Sequence, residues 1–306
     1  MSNKTAVLLM AYGTPRSPEE ILPYYTDIRR GRPPTDEQLG DLKARYDAIG
    51  GISPLAARTE AQRDALQRAL DNVAPDKFTV QLGLKHAHPM IEETVDDLAR
   101  QGIKNIVALV LAPHFSSYSI GQYVGRAQTA AEPHGISVVG INSWATEPAF
   151  IDFLATDMAA KKAALPARTR VLFTAHSLPQ RIIDGGDPYP QELHATATAV
   201  ANKLGLVEGD DWAIAWQSAG RTPEPWIGPD ILDVIDTIAA NKQADGVLVS
   251  ACGFVADHLE VLYDLDIEAK HRSDHHGLQF DRTTCVNDDA VVMAALAQRV
   301  ITAAQS

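Results

Sequence analysis

Short apolar runs recur along the chain and break off at polar or turn-forming residues. Residues 5–11, 78–84, 105–111 and 136–141 form one set; 170–175, 212–217, 246–251 and 278–280 form a second. Nearly all are rich in Val, Ile and Leu without polar alternation, the pattern of strands covered on both faces. Longer segments with helical spacing lie between them, among them 53–72, 89–101, 188–204 and 229–241. Several of these open with Pro in the first turn, a normal helix start. Strand and helix alternate, four strands to each half. This predicts parallel sheets with helices on both faces and right-handed crossovers. The fold class expected is α/β: two similar Rossmann-like domains, each a four-stranded parallel sheet flanked by helices. The boundaries expected are 1–150 and 151–306, with a junction near 150–166. A last helix, about 288–304, can pack on either domain, including across onto the first.

Residues 8–15 (Leu-Leu-Met-Ala-Tyr-Gly-Thr-Pro) faintly echo residues 172–179 (Leu-Phe-Thr-Ala-His-Ser-Leu-Pro). In each, an apolar strand ends in Ala, followed by an aromatic or imidazole side chain and, three residues on, Pro. Ligands of open α/β sheets bind at the carboxyl ends of strands. Equivalent strand ends would put Tyr12 and His176 on opposite walls of one cleft.

Composition removes several function classes. The chain has 306 residues, 27 Lys plus Arg against 39 Asp plus Glu, and a formal net charge of −12. A nucleic-acid partner is not expected, because phosphate binding needs a surplus of cations. No apolar run approaches the ~20 residues that span a bilayer, so no membrane anchor is expected. The first residues do not read as a signal peptide, since residues 6–11 look like a strand. Two cysteines, Cys252 and Cys285, are too few for a disulfide framework or for holding an iron–sulfur cluster alone. A cytoplasmic protein is the simplest expectation. No GxGxxG, Walker loop or GxSxG elbow is present, which argues against nucleotide chemistry and serine hydrolysis.

Residues 253–268 carry the densest chemistry. Glu260, Asp264 and Glu268 recur at i, i+4 and i+8, which stacks three carboxylates along one helix face. Like charges at this spacing call for a cation to offset them, either Lys/Arg or a partly hydrated divalent ion. On spacing alone the row reads equally as a solvated acidic face. His176 follows a strand; it suits proton transfer or a borderline metal such as Fe²⁺, and equally a hydrogen-bonded structural role. His114 also ends a strand and leans structural. His271, His275 and His276 read as a solvated loop. Arg29, Arg30, Arg32, Lys43 and Arg45 concentrate positive charge early, where guanidinium forks could take carboxylates. Ser53 is a plausible N-cap after Gly50 and Gly51.

Residues 24–31 (Tyr-Tyr-Thr-Asp-Ile-Arg-Arg-Gly), 45–55 (Arg-Tyr-Asp-Ala-Ile-Gly-Gly-Ile-Ser-Pro-Leu), 175–179 (Ala-His-Ser-Leu-Pro), 186–190 (Gly-Asp-Pro-Tyr-Pro) and 253–260 (Gly-Phe-Val-Ala-Asp-His-Leu-Glu) together resemble the ferrochelatases. The likeness is greatest to the coproporphyrin III ferrochelatases of Gram-positive bacteria and runs in order to about Glu268. The resemblance implies a porphyrin cleft between the domains and insertion of Fe²⁺ into coproporphyrin III with release of two protons. It implies that His176 and Glu260 bind metal and accept protons, with Asp264 and Glu268 as outer carboxylates of the metal or proton path. Tyr12 matches a tyrosine on the other face of the macrocycle. Arg29, Arg45, Tyr46, Ser53 and Tyr123 match positions that contact the tetrapyrrole and its propionates, and Lys85 a basic position nearby. Ferrous iron is then a substrate; no tightly bound cofactor and no iron–sulfur cluster are implied. Haem-pathway enzymes are the candidate protein partners, and a monomer is the default. Protoporphyrin IX as the substrate, or a carrier that binds tetrapyrrole without chemistry, are the alternatives. Ala219, where the family often has Glu, and Cys252, where it has an aliphatic residue, depart from the pattern.

Overall fold

Two four-stranded, wholly parallel sheets organise the chain, whose computed structural model describes residues 4–220 and 222–305. The first comprises β1 (Thr5–Ala11), β2 (Phe78–Leu84), β3 (Asn105–Val110) and β4 (Ser137–Ile141), in the order β2-β1-β3-β4. The second comprises β5 (Thr169–His176), β6 (Trp212–Gln217), β7 (Gly246–Ser250) and β8 (Gln279–Arg282), in the order β6-β5-β7-β8. The two connectivities are identical. The uniformly apolar strands are buried as their composition requires: Ala6 to Met10 of β1 and Val247 to Val249 of β7 have no solvent-accessible surface.

The covering helices follow the same logic. In the helix Ile91–Arg100 the buried residues are Ile91, Thr94, Val95 and Leu98, the i, i+3, i+4, i+7 stripe that lies on a sheet. Glu93 caps its start by accepting from the Met90 amide at 2.8 Å.

The chain divides into two compact units. One holds everything up to Ala112, Ser117–Ser143 and the chain from Asn287 onward; the other holds Pro113–Ser116 and Trp144–Val286. The expected junction at 150–166 is instead the helix Pro148–Ala163, which belongs to the second unit. Its buried face is Phe150, Ile151, Leu154, Ala155 and Met158, and Trp144 meets Phe150 edge-on at 5.1 Å. The boundary therefore falls at Trp144 rather than 150. The last helix, Ala290–Ala303, packs on the helix Leu55–Val73 and on β4 in the first unit. Gln62 and Arg299 tie this segment down through the carbonyls of Asn287 (3.0 Å) and Ser143 (3.2 Å). The domain expected over 151–306 is shortened accordingly.

Two local readings also change. The N-cap of the helix Leu55–Val73 is Pro54; Ser53 lies one residue earlier, where its hydroxyl accepts from the Leu55 amide at 3.2 Å. The stretch read as a solvated loop includes the helix Lys270–His275, and His276 bonds Asp236 at 2.7 Å. A helix forms there because the preceding helical segment runs straight into it.

His114 is a core residue of the second unit. The Thr196 hydroxyl donates to the Ala145 carbonyl at 2.7 Å, so the 2.8 Å contact to His114 requires Nε2 to carry the hydrogen. Its Nδ1 is then a buried acceptor with no partner. Charging it would bury a cation that nothing neutralises, and burial pushes its pKa down to about 3. An unfolded chain takes up this proton near pH 6.5 while the folded one refuses it. Stability is thus full above that pH and falls with acidification towards pH 3, by about 2 kcal/mol between pH 7 and pH 5. Denaturant titrations at the two pH values should show this loss and show it reduced in His114→Gln; equal losses in both proteins would contradict it.

Candidate active site

His176 closes β5, beside Gln217 of β6. Its Nδ1 lies 2.5 Å from the Ser177 carbonyl. A carbonyl only accepts, so Nδ1 carries the hydrogen and the neutral ring offers its lone pair at Nε2. That nitrogen lies 3.7 Å from Oε1 of Glu260. Trp226 stands beside the imidazole, with ring centroids 6.2 Å apart.

Glu260 has a second imidazole neighbour. His258 Nε2 is 3.6 Å from Oε2 of Glu260, while its Nδ1 is tied to the Ala256 carbonyl at 3.0 Å. One carboxylate therefore sits between two histidines, each oriented by a backbone acceptor and each presenting Nε2. Three electron-pair donors facing one another repel unless a proton or a cation lies among them. Such a set can take up protons or hold a borderline divalent ion in passing. It is not a preformed cage: among the described residues no group of three His, Cys, Asp or Glu side chains is gathered closely enough to hold a metal ion. His258 was not singled out from the sequence, although it stands two residues before Glu260 in the motif.

Gly253 explains how this loop reaches His176. A Cβ there would lie 2.4 Å from the Ala175 Cβ and 2.6 Å from its Cα. The Gly253 amide also donates to the Thr174 carbonyl at 3.0 Å. Only glycine lets the two backbones pass this closely, immediately before the histidine.

Beyond Glu260 the chain is not the α-helix expected from 253 onward. Residues 253–258 are irregular, Leu259 and Glu260 open the helical run, and Val261–Ala269 continues it as a π-helix. The wider i→i+5 coil still keeps Glu260, Asp264 and Glu268 on one side, because four residues now fall short of a full turn instead of overshooting it. Asp264 is buried and accepts from the Ser218 hydroxyl; Glu268 is half-buried. Arg282, at the end of β8, meets Asp266 through Nε (2.6 Å) and Nη2 (2.9 Å) and Asp257 through Nη2 (3.1 Å).

In the first unit, Tyr12 follows β1 in the topological place that His176 holds on β5, and it is 43% exposed. Its ring leans on His86 with centroids 4.6 Å apart, and Asp27 holds His86 at 2.7 Å. Burial keeps the His86 imidazole below its usual range even against Asp27. Gly13 follows Tyr12 at φ +89°, where an added Cβ would lie 2.8 Å from that of Ala87. Lys85 donates to Gln122 at 2.9 Å and lies 5.0 Å from the centre of the Tyr123 ring. Burial, with Arg126 and Arg30 nearby, pushes the Lys85 ammonium down to about 8. Arg126 grips Glu92 with two bonds of 2.7 Å and donates to the Lys85 carbonyl at 2.8 Å.

The remaining expected contacts divide by burial. Tyr46, Ser53 and Tyr123 are buried; Tyr46 places its hydroxyl 3.5 Å from that of Thr14. Arg29 and Arg45 are half-buried; Arg29 donates to the Arg32 carbonyl at 3.2 Å, and its guanidinium lies 5.7 Å from the Tyr25 ring centre.

Paired parallel sheets with a histidine–carboxylate set at the strand ends define an α/β protein built for proton or metal chemistry on a bound ligand. The family model named Ferrochelatase matches residues 4–304, and the chain belongs to the ferrochelatase family. It is 46% identical over 295 residues to a ferrochelatase of Herpetosiphon aurantiacus, covering 94% of this chain and 95% of that one. With a coproporphyrin III ferrochelatase of Oceanobacillus iheyensis it shares 44% identity over 310 residues, covering 99% and 98% of the two chains. The solved structure of SirB from Bacillus subtilis with Fe³⁺ has the same fold, with a TM-score of 0.55, 13% identity, and 98% and 96% of the two chains covered. Among the described residues no helix is long and apolar enough to cross a membrane.

Proposed function

We propose that this protein inserts Fe²⁺ into coproporphyrin III, giving the iron porphyrin and two protons. The observation that carries the reading is the His176–Glu260 pair, 3.7 Å apart, with the His176 lone pair turned to the carboxylate. A free-base porphyrin keeps two N–H protons in the hole the metal must enter. His176 Nε2 takes the first, and Glu260, bracketed by His258, stabilises the imidazolium and accepts the next. Asp264 and Glu268 pass protons outward or iron inward along the π-helix. Tyr12 is assigned to contact with the macrocycle, and Arg29 and Arg45 to its propionates. Tyr46, Ser53 and Tyr123 shape that surface from beneath. Lys85 adds a cation whose charge is sensitive to pH.

Four propionates need more donors than two, and the basic segment 29–45 suits the more acidic ring; the names of the relatives point the same way. Iron is substrate here, and the chemistry needs no resident cofactor. The enzyme works in the cytoplasm as a monomer. Anaerobic mixing with Fe²⁺ should quench the free-base fluorescence of coproporphyrin III with turnover, at a kcat/KM at least tenfold above that for protoporphyrin IX. Equal efficiencies would overturn the substrate assignment; porphyrin binding without metallation would replace the enzyme with a carrier.

A further inference from the structure

Arg282 holds both ends of the segment that presents the histidine–carboxylate set. Its fork takes Asp266 within the π-helix and Asp257 just before His258, while Nη1 donates to the Thr283 carbonyl at 3.1 Å. Arg282 and Asp257 are largely enclosed, 14% and 17% exposed, so this is no solvent-screened surface pair. The guanidinium is rooted in the sheet, because Arg282 pairs with Val249 of β7, and β7 pairs with β5, the strand that ends in His176.

The clamped segment has an unusual geometry. π-helices occur mostly as single-turn bulges, whereas this one runs for nine residues. Each residue of an α-helix advances 1.5 Å, further than in the shorter, wider π coil. Reverting to α would lengthen the segment and carry Asp266 away from Asp257. The two ion pairs, made by one planar group, therefore favour the π register.

We infer that Arg282 is a positioning residue for iron insertion: by binding Asp257 and Asp266 at once it fixes the π register and so holds Glu260 between His176 and His258. This rests on the proposed role of Glu260. Lysine can supply the charge but not the fork. Arg282→Gln should lower kcat at least tenfold and raise KM for Fe²⁺ at least threefold, with the Kd for coproporphyrin III within twofold of wild type. Arg282→Lys should recover less than half of the lost rate. Amide exchange over residues 261–269 should accelerate at least tenfold in Arg282→Gln. Asp266→Asn, which leaves Arg282 its Asp257 partner, should shift kcat and KM for Fe²⁺ in the same direction by a smaller factor, and it decides the matter should Arg282→Gln not fold. Wild-type kinetics in Asp266→Asn, or full recovery by Arg282→Lys, would overturn the inference. A wild-type protein that never metallates would instead refute the proposed function, and faster exchange in Arg282→Gln would still establish the clamp.

Discussion

Replacing His176 by alanine is expected to slow iron insertion by about 10²–10⁴-fold, the usual contribution of a positioned general base. Coproporphyrin III should still bind, since its carboxylates are assigned to other residues. The size of the effect follows from geometry. The Ser177 carbonyl fixes the tautomer, leaving one nitrogen free, and that nitrogen faces Glu260. His258 also reaches Glu260 but is held by a different loop carbonyl, so it cannot replace the proton acceptor at the end of β5. Glu260→Gln keeps the shape while removing the charge and should cost at least tenfold. Stopped-flow quenching of porphyrin fluorescence with and without Fe²⁺ separates binding from insertion. Near wild-type turnover in His176→Ala would remove the histidine from the mechanism.

Gly253→Ala should be strongly damaging although it adds a single methyl group. The new Cβ would fall 2.4 Å from one carbon of Ala175 and 2.6 Å from another, the latter backbone. A flexible side chain could turn aside; two hydrogen-bonded backbones cannot. Overpacking of this kind costs about 1–3 kcal/mol or more. At roughly 2–4 °C per kcal/mol, Tm should fall by several degrees. The displaced segments carry His176 and Glu260, and a shift of about 1 Å in a reacting group can cost 10²-fold. Activity should therefore fall further than stability alone explains. Adding Ala175→Gly removes the nearer of the two collisions and should restore part of both. Unchanged Tm and kcat in Gly253→Ala would mean the strands separate easily here.

These outcomes also bear on what the chain discloses before it folds. Strands covered on both faces, such as β1 and β7, leave an unbroken apolar run and were legible, as was the histidine closing β5, whereas β8 (Gln-Phe-Asp-Arg) is partly exposed and its reading at 278–280 reached only half of it. The helix Pro148–Ala163 was not. Its buried residues pair up along one side, but its exposed side is rich in Ala and blurs the contrast that marks an amphipathic helix. The π register of Val261–Ala269 is set by an arginine well downstream, so no local spacing announces it. His258 stood in plain sight within its motif. Its importance lies in the orientation of Nε2, which depends on a loop carbonyl and not on residue order. Ser53 and Pro54 differ by one position because the backbone, not the side-chain type, decides where a helix begins.

The shared strand order of the two sheets has an evolutionary reading. Duplication of a half-length ancestor would yield two copies of one scaffold, each with a vacant tip on its first strand. One tip now bears a phenol and the other an imidazole. Once copied, either tip could specialise while its twin preserved the original duty. Under that history, selection could change the residue at one tip without disturbing the residue at the other.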